Sequence, residues 1–399
     1  MAPTPFCGDM LARPAQLFAR DPAGGVAALF AGHRVGFSFL TRAAIRRACD
    51  LLGLQPGDEV LAPAYNCGSE LDPLRQAGQK VTLFPLDRQT RIDPDAVERL
   101  ITPRTRAVYL THYFGVLHPE TRALRALCDR HGLALIEDCA LSLLSGTHPV
   151  EGRAGDVAVF CLYKFFPTLA GGALVLNANR LPGIPVFAAP PPRLEAQRHL
   201  VRMLPGMQSL LQARRRRSRA EASRTDAAAP TERDGLPDMP TSYYFDPGLT
   251  DRRISAFALR PLGCFDVAAA IAARRSNYQA YLALLADLPQ ACPLFPDLAP
   301  ETCPLSMPVL VEDRDAIAAA LQARGIAATP WWAGYNRHLD FTGQAEARYL
   351  KDHVLSLPVH QYLGEGAPAH VVATLRSLLR PGSSARTAGP GRPRPEAAS

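Results

Sequence analysis

Lys164 is a primary amine set in an apolar run, Val157-Ala-Val-Phe-Cys-Leu-Tyr-Lys-Phe-Phe-Pro, a few residues ahead of Gly171-Gly172. The chain holds only two other lysines, Lys80 and Lys351, against 41 arginines. A sequence that writes its surface charge with arginine keeps lysine mainly where the amine itself is needed. An ammonium in such a run is costly to bury unless it is neutralised or converted. A Schiff base with an aldehyde cofactor does that, because a desolvated amine has a lowered pKa and is nucleophilic. The plainer alternative is a lysine at a strand end whose head reaches back to water.

A second group gives Lys164 a chemical context. Glu137-Asp138 closes an apolar strand, and a carboxylate at the carboxyl end of a parallel strand lies where open α/β sheets bind ligands. Asp138 could cap the following turn. Beside a Schiff-base lysine it has a more specific use: pyridoxal phosphate needs an anion against its ring nitrogen to keep the ring protonated and electron-withdrawing. Thr41-Arg42-Ala43-Ala44 opens a helical pattern. Its free N–H groups and positive helix end suit a phosphate, with Thr41 and Arg42 as side-chain donors.

The elements that must carry these residues alternate. Strand-like runs cover Val60–Tyr65, Val81–Leu86, Ala107–His112, Leu133–Glu137, Val157–Cys161 and Gly172–Asn177, with helical patterns over Thr41–Leu52, Asp93–Ile101 and Pro119–His131. Asp93 is an N-cap, with Pro94 at the first helical position. This order predicts an α/β fold, a mainly parallel sheet covered by helices and apolar on both faces. Further on, the pattern predicts a helix over Ile254–Leu288, a strand Pro308–Glu312 and helices Arg314–Arg324 and Ala369–Leu379. The expected organisation is an N-terminal segment 1–35, a large domain 36–250 with a disordered basic insertion at 205–240, a smaller C-terminal α/β domain 251–380 and a disordered tail 381–399.

Composition narrows the function classes. The formal charge of +7 is concentrated in Arg214-Arg-Arg-Arg-Ser-Arg219 and the tail from Arg380 to Arg394, leaving a nearly neutral body. That run lacks interleaved aromatics and adjoins a low-complexity stretch, so it reads as solvated chain and no nucleic-acid partner is expected. No apolar stretch has the length of a membrane span, and the start lacks a signal-peptide layout, so the expectation is a cytoplasmic protein. Nine cysteines without CxxC pairs or ligand spacing read as reduced thiols, with no metal site.

Several motifs together resemble the DegT/DnrJ-type sugar aminotransferases, a family with the aspartate-aminotransferase-like fold type I of pyridoxal phosphate enzymes. They are Gly57-Asp-Glu-Val60 and Pro63, Asp93-Pro-Asp95, Thr102-Pro-Arg-Thr105, His112-Tyr-Phe-Gly115, Glu137-Asp138-Cys-Ala140, Lys164 and Gly171-Gly172. The resemblance is close over about residues 36–177. It continues more loosely through Ile254-Ser255, Arg274–Tyr278, Arg324-Gly-Ile326 and Leu357–Gln361.

The resemblance implies Lys164 as the Schiff-base lysine, Asp138 as the partner of the ring nitrogen and Ala140 packing on one ring face. It also implies that Cys161 stands where a serine binds the phosphate and that the turn Tyr65–Cys67 covers the other ring face. His360, and with weaker support His112, would reach substrate. The family's aromatic residue is replaced by Cys67, and its Gln or His by Leu141. Two residues are missing between Cys161 and Lys164. Asp251 replaces an asparagine that reaches a neighbouring subunit's phosphate, a change for which Arg253 could compensate.

In function, the resemblance implies an aminotransferase acting on a keto sugar, with nucleotide-linked sugars as the expected substrates, an amino-acid donor and a homodimeric assembly. Retention of Lys164 disfavours the family's dehydratase branch, which replaces that lysine with histidine. The alternative is a protein that keeps the fold for binding or regulation, to which Cys67, Leu141 and Asp251 point.

Overall fold

The computed structural model describes residues 4–10, 26–146, 152–168, 170–192, 235–259, 262–263 and 265–379. The expected insertion over 205–234 and the tail 381–399 lie outside these residues.

Seven strands form the large sheet: β1 (Arg34–Ser38), β2 (Glu59–Pro63), β3 (Lys80–Phe84), β4 (Thr105–Thr111), β5 (Ala134–Asp138), β6 (Val157–Cys161) and β7 (Gly172–Leu176). Their spatial order is β1-β7-β6-β5-β4-β2-β3. The five strands from β3 to β6 run parallel, while β7 is antiparallel to both β6 and β1. Every residue of β2, β5, β6 and β7 is buried, as a sheet covered on both faces requires. The covering helices include α1 (Thr41–Leu51), α2 (Asp72–Gln76), α3 (Pro94–Glu98) and α4 (Thr121–His131). As the sequence predicted, Asp93 caps α3, its carboxylate accepting the Asp95 N–H. Gly132 ends α4 in the left-handed conformation.

The smaller sheet joins β8 (Cys292–Pro293), β9 (Ser306–Leu310), β10 (Thr329–Pro330) and β11 (Val354–Pro358) in the order β10-β11-β9-β8, all antiparallel. Helices α5 (Val267–Leu285), α6 (Arg314–Ala323), α7 (Ala345–His353) and α8 (Ala367–Leu378) accompany it. Tyr278, Tyr281, Met307, Val309, Leu321, Leu355 and Leu375 share its separate core.

Three features depart from the expected layout. The helix over Ile254–Leu288 is broken: a short helical stretch Ala256–Leu259 precedes α5, which restarts where Asp266 accepts the Ala269 N–H at 2.9 Å. Pro261 and Gly263 in the intervening sequence disfavour a continuous helix. The end of the expected insertion packs, with Met239 2% exposed and Met239 N–H bonded to the Tyr335 carbonyl at 2.8 Å, because Leu236 and Met239 give that stretch apolar surface to bury. Finally, residues 6–8 lie against the smaller sheet's domain. The Phe6 and Cys7 carbonyls accept from Gly364 N and Ala327 N at 2.9 and 2.8 Å.

Candidate functional site

Lys164 closes a single 3₁₀ turn, Leu162–Lys164, directly after β6. The strand ends around it lock one another. Leu162 N–H donates to the Gly171 carbonyl at 2.9 Å and Gly171 N–H to the Phe39 carbonyl at 2.8 Å. Gly171 has φ +122°, and a Cβ there would meet Ile254, so only glycine suits the turn. From the smaller domain, Arg274 and Gln361 reach the Phe165 carbonyl at 3.3 and 3.4 Å. Arg274 is 1% exposed and also donates to the Pro304 and Leu305 carbonyls. Both domains therefore fix the backbone that carries the lysine. Its Nζ lies 6.0 Å from the centre of the Trp331 ring.

Asp138, the last residue of β5, is 4% exposed. Tyr109 Oη donates to its Oδ2 at 2.8 Å and Ala140 N–H to its Oδ1 at 2.9 Å. Burial pushes its carboxyl above the usual range, opposed by the Lys164 charge and by these two hydrogen bonds. Ala140 is buried beside it and Leu141 is 1% exposed.

Helix α1 begins after Leu40 with no side-chain cap, leaving its amino end available to an anion. Strand β7 passes directly beneath: a Cβ on Gly172 would come within 2.6 Å of Thr41 N, so glycine at that position brings sheet and helix start together. Thr41 Oγ1 donates to the Phe160 carbonyl at 3.2 Å, and the Thr41 hydroxyl also bonds Cys161, whose thiol burial pushes up. Three expectations change here. Ala43 N–H already bonds the Leu40 carbonyl at 3.0 Å, and the Arg42 guanidinium binds the carbonyls of Ser242, Tyr243 and Tyr244. The Arg42 Nη1 therefore clamps that segment, and the one proton of the Thr41 hydroxyl is committed to the Phe160 carbonyl, so the donors at the start of α1 are the backbone N–H groups of Thr41 and Arg42.

The turn after β2 also differs. Tyr65 is fully buried, with its ring 5.5 Å from that of Tyr113 and 4.9 Å from that of Trp332. Its faces are committed to this aromatic cluster, so it does not cover a ring beside Lys164. Cys67 is half-buried, within the electrostatic reach of Lys164.

Neither histidine has a nitrogen to offer substrate. His112 Nε2 lies 3.0 Å from Glu137 Oε1, and its Nδ1 accepts the His118 N–H at 2.9 Å. His360 Nε2 donates to the Gly8 carbonyl at 2.8 Å and its Nδ1 accepts from Tyr362 N–H at 3.3 Å. Burial lowers the His360 pKa to about 4, so it stays neutral. Asp251 is paired with Arg47 at 2.7 Å, while Arg253 is exposed.

Three residues passed over in the sequence belong to this region. Lys351 is 1% exposed and donates to the carbonyls of Asn66, Gly334 and Trp332 at 2.7, 2.9 and 3.2 Å. It ties the turn after β2 to the loop carrying Trp332, and lysine scarcity was its sequence signal. Trp331 stands over Lys164 with its indole Nε1 buried and unpartnered. Glu70 places a buried carboxyl in the same electrostatic neighbourhood as Lys164 and Asp138. Among the described residues no cluster of His, Cys, Asp or Glu could hold a metal ion, and no helix is long and apolar enough to cross a membrane.

This arrangement has counterparts among known proteins. Residues 29–184 match the DegT/DnrJ/EryC1/StrS aminotransferase family. The chain is 35% identical over 148 residues to an L-glutamine:2-deoxy-scyllo-inosose aminotransferase of Streptoalloteichus tenebrarius, covering 35% of this chain and 34% of that protein. It is 36% identical over 126 residues to a dTDP-3-amino-3,4,6-trideoxy-alpha-D-glucose transaminase of Streptomyces venezuelae, covering 31% of this chain and 32% of the relative. A pleiotropic regulatory protein of Geobacillus stearothermophilus is 32% identical over 145 residues, 35% of this chain and 38% of that protein. The matches thus span about a third of each curated relative. Structural likeness runs further. An aminotransferase of Helicobacter pylori involved in the biosynthesis of pseudoaminic acid superposes with a TM-score of 0.63 at 17% identity, over 93% of this chain and 98% of that one. The fold of the whole described chain is therefore that of this group.

Proposed function

We propose that this chain, a member of the DegT/DnrJ/EryC1/StrS aminotransferase family through residues 29–184, is a pyridoxal-phosphate-dependent enzyme that moves an amino group from an amino acid to a keto sugar, nucleotide-linked in the first instance. One observation carries the reading. Lys164, Asp138 and the uncapped start of α1 converge at the carboxyl ends of β5 and β6, where Thr41 bonds the Phe160 carbonyl and the Lys164 charge acts on Asp138. The names of the matched relatives support the substrate class.

The residues fit the cofactor. The α1 start, with Gly172 beneath and Thr41 at its head, is a phosphate cradle that a larger residue at 172 would fill. When bound, pyridoxal phosphate supplies an aldehyde that accepts amines and a ring that withdraws electrons from the carbon attached to nitrogen. Lys164 would hold it covalently and, with its amine free, accept and return a proton at Nζ. Asp138, braced by Tyr109 and Ala140 N–H, would hold the ring nitrogen's proton. Arg274 and Gln361 keep the Lys164 turn in place. Trp331 would help exclude water above the lysine.

A homodimer completes the proposal. Arg253 is exposed, as are Tyr163, Ile184, Val186 and Tyr243 at 40, 60, 65 and 43%, apolar surface that a second copy would cover.

The test incubates the purified chain and pyridoxal phosphate with L-glutamine or L-glutamate and a panel of nucleotide-linked keto sugars, following amino-sugar formation by mass spectrometry. The reading requires an amino sugar whose formation depends on the donor. Retained cofactor without any amine product would favour a binding or regulatory protein instead. Cys67 and Leu141, at positions where family members place an aromatic residue and a polar one, and the regulatory protein among the relatives support that second reading.

A further inference from the structure

Glu70 lies three residues beyond Cys67, in the turn that leads into α2. Its side chain is 8% exposed. Oε1 accepts the Cys67 N–H at 2.7 Å, a contact that braces the turn ahead of α2. Oε2 has no hydrogen-bond partner although it is buried. Bracing the turn explains the first oxygen and leaves the second unexplained. A buried acceptor without a donor is destabilising, and a purely structural role gives no reason to retain it.

Several titratable groups from different elements act electrostatically on this carboxyl. They are Asp138 at the end of β5, Lys164 after β6, Tyr109 in β4, Tyr113 just beyond it, Cys67 in the same turn and Lys351 on α7. We infer that Glu70 is a positioning residue of this site, whose carboxyl sets the charge felt by the Lys164 nitrogen through a proton that it holds or releases to solvent. Burial and then the charge of Asp138 push Glu70 up to about 7, against the pull of the backbone donors and Lys164. On the acid side of that value the carboxyl is neutral. On the alkaline side Glu70 is an anion and favours the protonated state of the Lys164 nitrogen. The inference deepens the aminotransferase reading and rests on it for its functional meaning, because the protonation of that nitrogen governs its reactivity.

The test needs no cofactor and exploits the presence of only three lysines. Protein labelled with ¹³C at the lysine ε-carbons gives three resolvable signals, that of Lys164 being identified by its loss in Lys164→Arg. In the wild type the Lys164 signal should shift through an inflection near pH 7 as Glu70 titrates. In Glu70→Gln, which keeps an acceptor for Cys67 N–H, that inflection should vanish. No inflection in the wild type, or the same inflection in the variant, overturns the inference. Should Glu70→Gln not fold, infrared spectra of the wild type with and without ¹³C-glutamate decide. A labelled protonated-carboxyl band present at pH 6 and gone by pH 9 sustains the inference, and its absence at pH 6 defeats it. Failure of the aminotransferase reading would show separately, as failure to take up pyridoxal phosphate.

Discussion

Tyr109 and Asp138 face each other across neighbouring strands, the phenol donating to the carboxylate at 2.8 Å. Parallel pairing sets this up: Thr111 lies opposite Asp138 in the β4–β5 register, so Tyr109, two residues earlier, projects from the same face of the sheet as Thr111. Asp138→Asn should keep the fold and lower turnover at least about 100-fold, because an amide does not stabilise a protonated ring nitrogen. Tyr109→Phe should cost about fivefold, the equivalent of one lost hydrogen bond of roughly 1 kcal/mol. Steady-state kinetics beside thermal melts checks both; an Asp138→Asn variant with wild-type turnover would reduce Asp138 to a cap.

His360→Leu should leave turnover within about twofold and lower unfolding stability by about 1 kcal/mol, because the ring holds the Gly8 carbonyl. Its folded pKa of about 4 lies below the ordinary value near 6.5. The unfolded chain therefore binds the proton first, and the stability this histidine contributes is present above about pH 6.5 and falls as pH drops toward 4. Urea midpoints at pH 8 and pH 5 measure the difference; a large loss of turnover in the variant would restore His360 to the substrate site.

Glu59 staples the amino ends of three strands. Its oxygens accept from Thr82, Thr102 and Thr105 at 2.7, 2.7 and 2.8 Å and pair with Lys80 at 3.0 Å. Burial alone would raise its pKa, but these bonds hold it down at about 2. The stabilisation is therefore full above about pH 4.5 and lost as pH falls toward 2. The stability gap between wild type and Glu59→Gln should be larger at pH 7 than at pH 3, and an equal gap at both would show that the charge contributes nothing.

How much of the fold is legible in the sequence depends on what each segment must satisfy. Val157–Cys161 and Gly172–Leu176 are apolar throughout because both faces are covered, and a run of that kind is legible without neighbours. Arg34–Ser38 is an edge strand with arginine and glycine in its five residues, and only its pairing with β7 makes it a strand. The positions of Lys164 and Asp138 were legible because β6 and β5 determine where they sit. The direction of Tyr65 was not, since it depends on Tyr113 and on Trp332, a residue 267 positions away. His360 was misread for the same reason: its partner, Gly8, comes from the far end of the chain.

The assembly can be checked in solution. Light scattering at micromolar concentration should give about twice the 43.1 kDa chain mass. Arg253→Ala should weaken pyridoxal phosphate retention without lowering the melting temperature of the cofactor-free protein. A monomer with full activity would contradict both the dimer and the role given to Arg253.

The central claim is the covalent chemistry of Lys164, and the visible absorption of the purified chain after addition of pyridoxal phosphate and gel filtration tests it most directly. The account predicts a band above roughly 400 nm, at about one cofactor per chain, retained through the column, absent in Lys164→Ala and bleached when an amino-acid donor is added. A wild-type protein that leaves the column colourless, or a Lys164→Ala variant that keeps the same donor-sensitive band, would contradict it.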